Sequence, residues 1–160
     1  MDTLLHTISP FGLAEFGFIW RLLVAAVLGT LMGLERSIAG KHAGMRTYAL
    51  VAMGSCLFCL ISVLAGFELT SFAATNPLLI ASSVVVGIGF IGSGLALTHG
   101  EKLGELTTAS GVWVVAGVGM ACGFGLFITA AVATILTIII FSFFSRVERY
   151  LRITWGVDGQ

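Results

Sequence analysis

Residues 106–145 contain no Asp, Glu, Lys, Arg or His. A single α-helix of that length would run about 60 Å, twice the hydrocarbon thickness of a bilayer. The run must therefore turn back on itself. The sequence "ACGFG" at 121–125 is the place to do so, because glycines end helices and permit tight turns. Three further apolar runs, at 16–34, 47–65 and 78–97, approach the roughly 20 residues that a membrane-spanning helix needs. The expectation is an all-α, polytopic transmembrane bundle of five spans, at 16–34, 47–65, 78–97, 106–122 and 124–145.

Composition excludes the alternative of a soluble domain. Charged residues make up 10% of the chain, against about 25% in soluble domains, and hydrophobic residues make up 58%. Mean hydropathy is +1.06. Formal net charge is zero, so there is no global field to attract nucleic acid. Residues 1–15 hold no Lys or Arg, so the positive start of a cleaved signal peptide is missing. They read as an interfacial or disordered segment before the first span. Pro10 and Pro77 precede spans one and three, where a missing N–H costs a helix nothing.

The basic residues set the expected orientation. Arg36, Lys41 and Arg46 lie between spans one and two, Lys102 between three and four, and Arg146, Arg149 and Arg152 after five. With five spans all of these share one side, and Arg21 alone is opposite. The positive-inside rule then puts the N-terminus outside and the C-terminus in the cytoplasm. Residues 146–160 form a basic cytoplasmic tail, expected to lie along the anionic leaflet.

Several patterns are read as packing. Cys56 and Cys59 have the spacing of a redox or metal pair but sit in an apolar run with no further ligand nearby. "GIGFIGSG" at 87–94 contains G-x-G-x-x-G, yet it lies inside a span and not between a strand and a helix. Small residues at intervals of four mark Gly29, Gly33, Gly87, Gly89, Gly92, Gly94 and Gly119 as helix-packing positions. They predict a tight bundle with a self-associating face.

No acidic residue lies near the middle of a span, which argues against a classical ion-coupled carrier. The charges gather instead in "GLERSIAGKHAGMRTYAL" at 33–50. Glu35 is expected to bridge to Arg46 and fix the first hairpin, with Arg36 beside it. Glu105, Thr107 and Thr108 join this cytoplasmic rim, the threonines capping span four. Glu35, Glu101 and Glu105 are oxygen donors of the kind Mg²⁺ takes, although acids balancing nearby bases explain them as well. Arg21 is expected at the outer interface, snorkelling beside Trp20 or pairing with Glu15 or Glu68. No nucleophile–base pair or metal-ligand cluster appears, so an enzyme is not expected.

Taken together, "RLLVAAVLGTLMGLERSIAGKHAGMRTYALVAMGSCLF", "VVVGIGFIGSG" and "LTTASGVWVVAGVGMACGFGL" resemble the N-terminal membrane domain of the MgtC/SapB family over about residues 21–135. The family's motif positions fall on Arg21, Glu35, Arg36, Gly44, Arg46, Thr47, Gly87, Gly89, Gly92, Gly94, Thr107, Thr108 and Trp113. The chain departs from the family at Gly104-Glu105, where members commonly carry a basic residue and a glycine. Many members continue into a soluble domain, which is not expected within these 160 residues. The resemblance implies a bacterial inner-membrane protein of magnesium homeostasis. In some members it also implies survival inside host cells and restraint of the membrane ATP synthase. The expected role is regulator of a membrane partner. The rivals are a homo-oligomeric Mg²⁺ transporter or channel and a ligand-free scaffold.

Overall fold

The computed structural model describes residues 10–68, 78–97 and 104–155, and all of its regular structure is helical. Helix α1 covers Pro10–Ile38, α2 Met45–Glu68, α3 Leu78–Leu97, α4 Gly104–Gly123 and α5 Phe127–Trp155. Each is long and apolar enough to cross a membrane. The chain is thus an all-α, multi-pass membrane protein with five spans, as its apolar runs predict. Residues 1–9, Lys102 and 156–160 lie outside the described residues, so the expectations placed there meet no structure.

Pro10 is the first residue of α1, where its fixed φ suits the helix and its missing N–H would have had no intrahelical partner. Residues 10–15 therefore belong to α1. At the other end, α5 continues unbroken to Trp155, so residues 146–155 extend the last span. A helix of 29 residues is about 43 Å long, more than the hydrocarbon core requires. Its arginine-bearing turns can therefore project beyond the membrane.

Both tight connections use the same helix stop. After α1, Lys41 N–H donates to the Arg36 carbonyl (3.0 Å) and Gly40 N–H to that of Ser37 (3.1 Å). After α4, Leu126 N–H donates to Ala121 (2.8 Å) and Gly125 N–H to Cys122 (3.0 Å). These are paired 6→1 and 5→2 bonds with a left-handed residue between them. That residue is Gly40 (φ 68°) in the first turn and Gly125 (φ 80°) in the second. The expected turn at 121–125 is thus in place, with its pivot at Gly125.

Helix α4 is the hub, touching each of the other four helices, while α3 touches only α2 and α4. Close approach explains the hub. A Cβ on Gly119 would lie 2.8 Å from the Ala52 carbonyl carbon, and one on Gly123 would lie 2.7 Å from Cys59 Cβ. On α1, a Cβ at Gly29 would lie 2.8 Å from that of Ala52, and one at Gly33 would lie 2.6 Å from the Met45 Cα. Without a hydrophobic push between helices in lipid, such backbone proximity supplies the packing energy. Gly29, Gly33 and Gly119 therefore pack as expected. Gly87, Gly89 and Gly94 do not: nothing lies within 4 Å of a Cβ there, and Gly92 makes only ordinary contact with Ala109. The reason is rotational. Helix α3 turns Val84, Ile88 and Leu95, one helical stripe, into the core, which leaves Gly87, Gly89 and Gly94 off the contact line.

Candidate functional site

Local bonds hold Ser37 and the Glu35–Arg36 pair of the α1–α2 hairpin. Ser37, in the last turn of α1, accepts the N–H of Met45, first residue of α2 (3.1 Å). This bond ties the two helix ends together and fills one of the N–H positions that a helix start leaves open. Arg36 lies on the face of α1 that meets α5, and it is 3% exposed. Its Nε donates to the Glu35 carboxylate. Its guanidinium carbon stands 3.8 Å from the centre of the Phe141 ring on α5. The buried cation thus has a carboxylate at its edge and an aromatic face below, the two partners that suit a planar guanidinium.

Glu35 therefore pairs with its chain neighbour and not with Arg46, which is exposed. The physical reason is the phase of each residue on its helix: Arg36 continues the buried stripe of Ala25, Gly29 and Met32 on α1, while Arg46, the second residue of α2, faces out.

One layer deeper, Tyr48 is fully buried, and its hydroxyl donates to the Thr108 carbonyl on α4 (3.1 Å). Gly111 makes room for it. A Cβ at that position would lie against the Tyr48 hydroxyl and 2.6 Å from Phe141 Cζ. The cluster Glu35–Arg36–Phe141–Gly111–Tyr48–Thr108 therefore links α1, α2, α4 and α5 at one end of the bundle. Thr108 has a second feature. The buried hydroxyls of Thr134 and Thr137 return to the carbonyl four residues back, Thr134 to Ala130 (2.9 Å) and Thr137 to Ala133 (2.7 Å). The Thr108 Oγ1 is buried with no hydrogen-bond partner. Helix α4 starts at Gly104, so Thr107 and Thr108 lie inside its first turns and do not cap it. Thr107 is exposed. The backbone of Glu105 is in the first turn of α4, and its side chain lies outside what is described.

A family model settles what kind of chain carries this arrangement. The model of the MgtC family matches residues 22–150, which span all five helices. The chain belongs to the MgtC family. It is 39% identical over 150 residues to protein SrpB of Synechococcus elongatus, covering 87% of this chain and 82% of that protein. It is 37% identical over 131 residues to the putative magnesium transporter YhiD of Escherichia coli, covering 81% and 61%. To protein MgtC of Salmonella typhimurium it is 40% identical over 121 residues, covering 76% and 49%. The chain thus spans about half the length of that last relative. No solved structure matches it.

The side chains of Glu15 and Glu68 lie outside what is described, and at the opposite end of this MgtC-family bundle Arg21 binds a backbone carbonyl. Its Nη1 donates to the Gly123 carbonyl, 2.7 Å away, and its guanidinium carbon is 5.9 Å from the Phe18 ring centre. A cation at the C-terminus of α4 meets both an open carbonyl and the negative end of the helix dipole. Arg21 therefore fastens α1 to the α4–α5 turn. Cys56, Cys59 and Cys122 are free thiols, all buried. Among the described residues, no three His, Cys, Asp or Glu side chains converge as a metal site. The glycines at 87–94 lie in unbroken helix, with no strand or loop to cradle a nucleotide.

Sequence reasoning missed Tyr48, Phe141 and Ser37. Only Tyr48 carried a signal. A tyrosine one turn inside an apolar span must bring its hydroxyl to a partner. Phe141 is one of 12 phenylalanines and nothing sets it apart.

Proposed function

We propose that this MgtC-family chain acts in magnesium homeostasis in the bacterial inner membrane, as a non-enzymatic regulator of a membrane partner. The supporting observation is the state of Glu35. Its carboxylate is bound to a buried guanidinium that is itself seated on Phe141. Mg²⁺ binds through free carboxylates and retained water, and a carboxylate neutralised in this way is a poor ligand for it. Arg36, held by Glu35 and seated on Phe141, serves to fasten α1 to α5. The name of the Escherichia coli relative, a putative magnesium transporter, supports the link with magnesium. The resemblance to the family makes the membrane ATP synthase the first partner to test.

A second reading, a homo-oligomeric Mg²⁺ carrier or channel, has an observation of its own. Gly87, Gly89 and Gly94 of α3 leave open space where another copy's backbone could approach. One experiment separates the two. The full chain is reconstituted in vesicles with ATP synthase and a fluorescent Mg²⁺ reporter. The regulator reading expects slower ATP-driven proton pumping and Mg²⁺ entry no faster than in protein-free vesicles. Mg²⁺ entry that depends on the chain, with pumping unchanged, overturns it in favour of the carrier.

A further inference from the structure

Helices α2 and α3 meet along only part of their length, and a groove of about 570 Å³ remains between them. One wall is Leu50, Gly54 and Phe58, and the other is Ile80, Gly87 and Ile91. Leu50 and Phe58 are more than half exposed, so the groove opens sideways, toward the surroundings of the bundle. The hydroxyl of Ser83, also in the wall, is spent on its own helix at the Leu79 carbonyl (3.0 Å). The lining offers a guest almost nothing but hydrocarbon.

The length of the groove is informative. From Leu50 to Phe58 is about 12 Å of helix and from Ile80 to Ile91 about 16 Å. Half the hydrocarbon core of a bilayer is about 15 Å. The groove therefore has the depth of one leaflet, the reach of a single acyl chain.

Its head carries a charge. Arg46 stands one turn before Leu50 on the same face of α2, about 6 Å further along the axis. It is exposed and, among the described residues, makes no ion pair. It also lies in the first turn of α2, where the helix dipole favours an anion. The nearest acid in sequence, Glu35, is already held by Arg36.

We propose that this groove seats one anionic phospholipid, with an acyl chain between α2 and α3 and its phosphodiester on Arg46. Guanidinium and phosphate match in charge and in geometry. Basic pockets between membrane helices select acidic headgroups on the same grounds. A second copy of the chain is the weaker occupant. A symmetric contact along this face would bring two Arg46 side chains toward one edge, with Glu35 unavailable to separate them.

The test is native mass spectrometry of the full chain released from detergent. The chain is offered phosphatidylglycerol and phosphatidylcholine with identical acyl chains. The wild type should retain one phosphatidylglycerol about tenfold more readily than phosphatidylcholine. Arg46→Gln should bring that ratio close to one, and Arg46→Lys should keep a part of it. Gly54→Leu and Gly87→Leu fill the groove from opposite walls, and a Cβ at either meets nothing within 4 Å, so both should keep wild-type helical content. Both should lose retention of either lipid. Equal retention of the two lipids by the wild type overturns the proposal, and this measurement needs no variant. Unchanged retention in both glycine variants overturns it as well. So does an oligomer that Gly87→Leu dissociates while lipid retention stays constant, which would give the groove to a second copy.

Discussion

Helices α3 and α4 are both 20 residues long, rich in small residues and built from similar apolar side chains. Their surroundings are opposite. More than half of the α4 span is buried inside the bundle, against 6% of the α3 span. A methyl group added at Gly111, Gly119 or Gly123 runs into a neighbour, whereas one added at Gly87, Gly89 or Gly94 meets nothing within 4 Å. Even within α4 the distinction holds, because Gly117 faces away and is open. A glycine in a membrane helix permits close approach, but it contributes energy only where a second backbone takes up the offer. The α1–α2–α4 core takes it up, and α3 leaves it open.

The sharpest way to break this contrast is to put a large side chain on the hub. Gly119→Leu places carbon atoms where the Ala52 backbone already stands, with its Cα 2.9 Å from the first added atom. Neither backbone can retreat without separating α2 from α4, so the variant is expected not to assemble. The measurement is the yield of detergent-extracted protein that resists protease. A folded Gly119→Leu would mean that α4 is not held as described. Next in size is the rim. Arg36→Gln removes the cation from a buried pair and leaves the Glu35 carboxylate without its partner. Breaking a buried pair by removing one member costs about 3–5 kcal/mol. Glu35 is 18% exposed, which places this variant at the low end, about 3 kcal/mol. Reversible unfolding in mixed micelles reads the loss directly, and a cost below that of Arg46→Gln would remove the rim cluster from the core.

Much of this architecture was legible in the sequence. The charge-free run at 106–145 forced a turn, and the glycines at 123 and 125 located it. The bounds of α3 coincide with the apolar run at 78–97, whose length alone marks it as a span. Span ends were less visible where helices outrun the membrane. Helix α5 continues to Trp155 because a helix has no reason to stop where hydrocarbon does. The rim was legible as a set of residues and not as a set of bonds. Glu35, Arg36, Arg46 and Thr108 all stand out in the sequence, yet the pairing depends on which face of α1 the other helices cover. Arg36 continues the buried stripe of Ala25, Gly29 and Met32, and a residue one position away on α1 points about 100° elsewhere. Periodicity likewise told which α3 residues are small, but not which side of α3 the other helices occupy. That depends on contacts distant in sequence.

The smallest expected effect bears most directly on the contrast between α3 and α4. Gly89→Ala adds one methyl group to an α3 surface with nothing within 4 Å. Alanine is the better helix former, by about 0.8–1.0 kcal/mol in water. Within a membrane the unfolded reference keeps much of its helix, so the gain should be smaller, up to about 0.5 kcal/mol. The same Gly→Ala change at Gly119 is destabilising by about 1–3 kcal/mol, because its methyl has no space. The two variants should therefore shift mixed-micelle unfolding in opposite directions. Running both across a range of protein concentrations decides who faces α3. If lipid does, the Gly89→Ala shift is small, stabilising and independent of concentration. If a second copy packs its backbone there, the shift turns destabilising and grows with concentration, and α3 would then resemble α4 with its partner supplied by another chain.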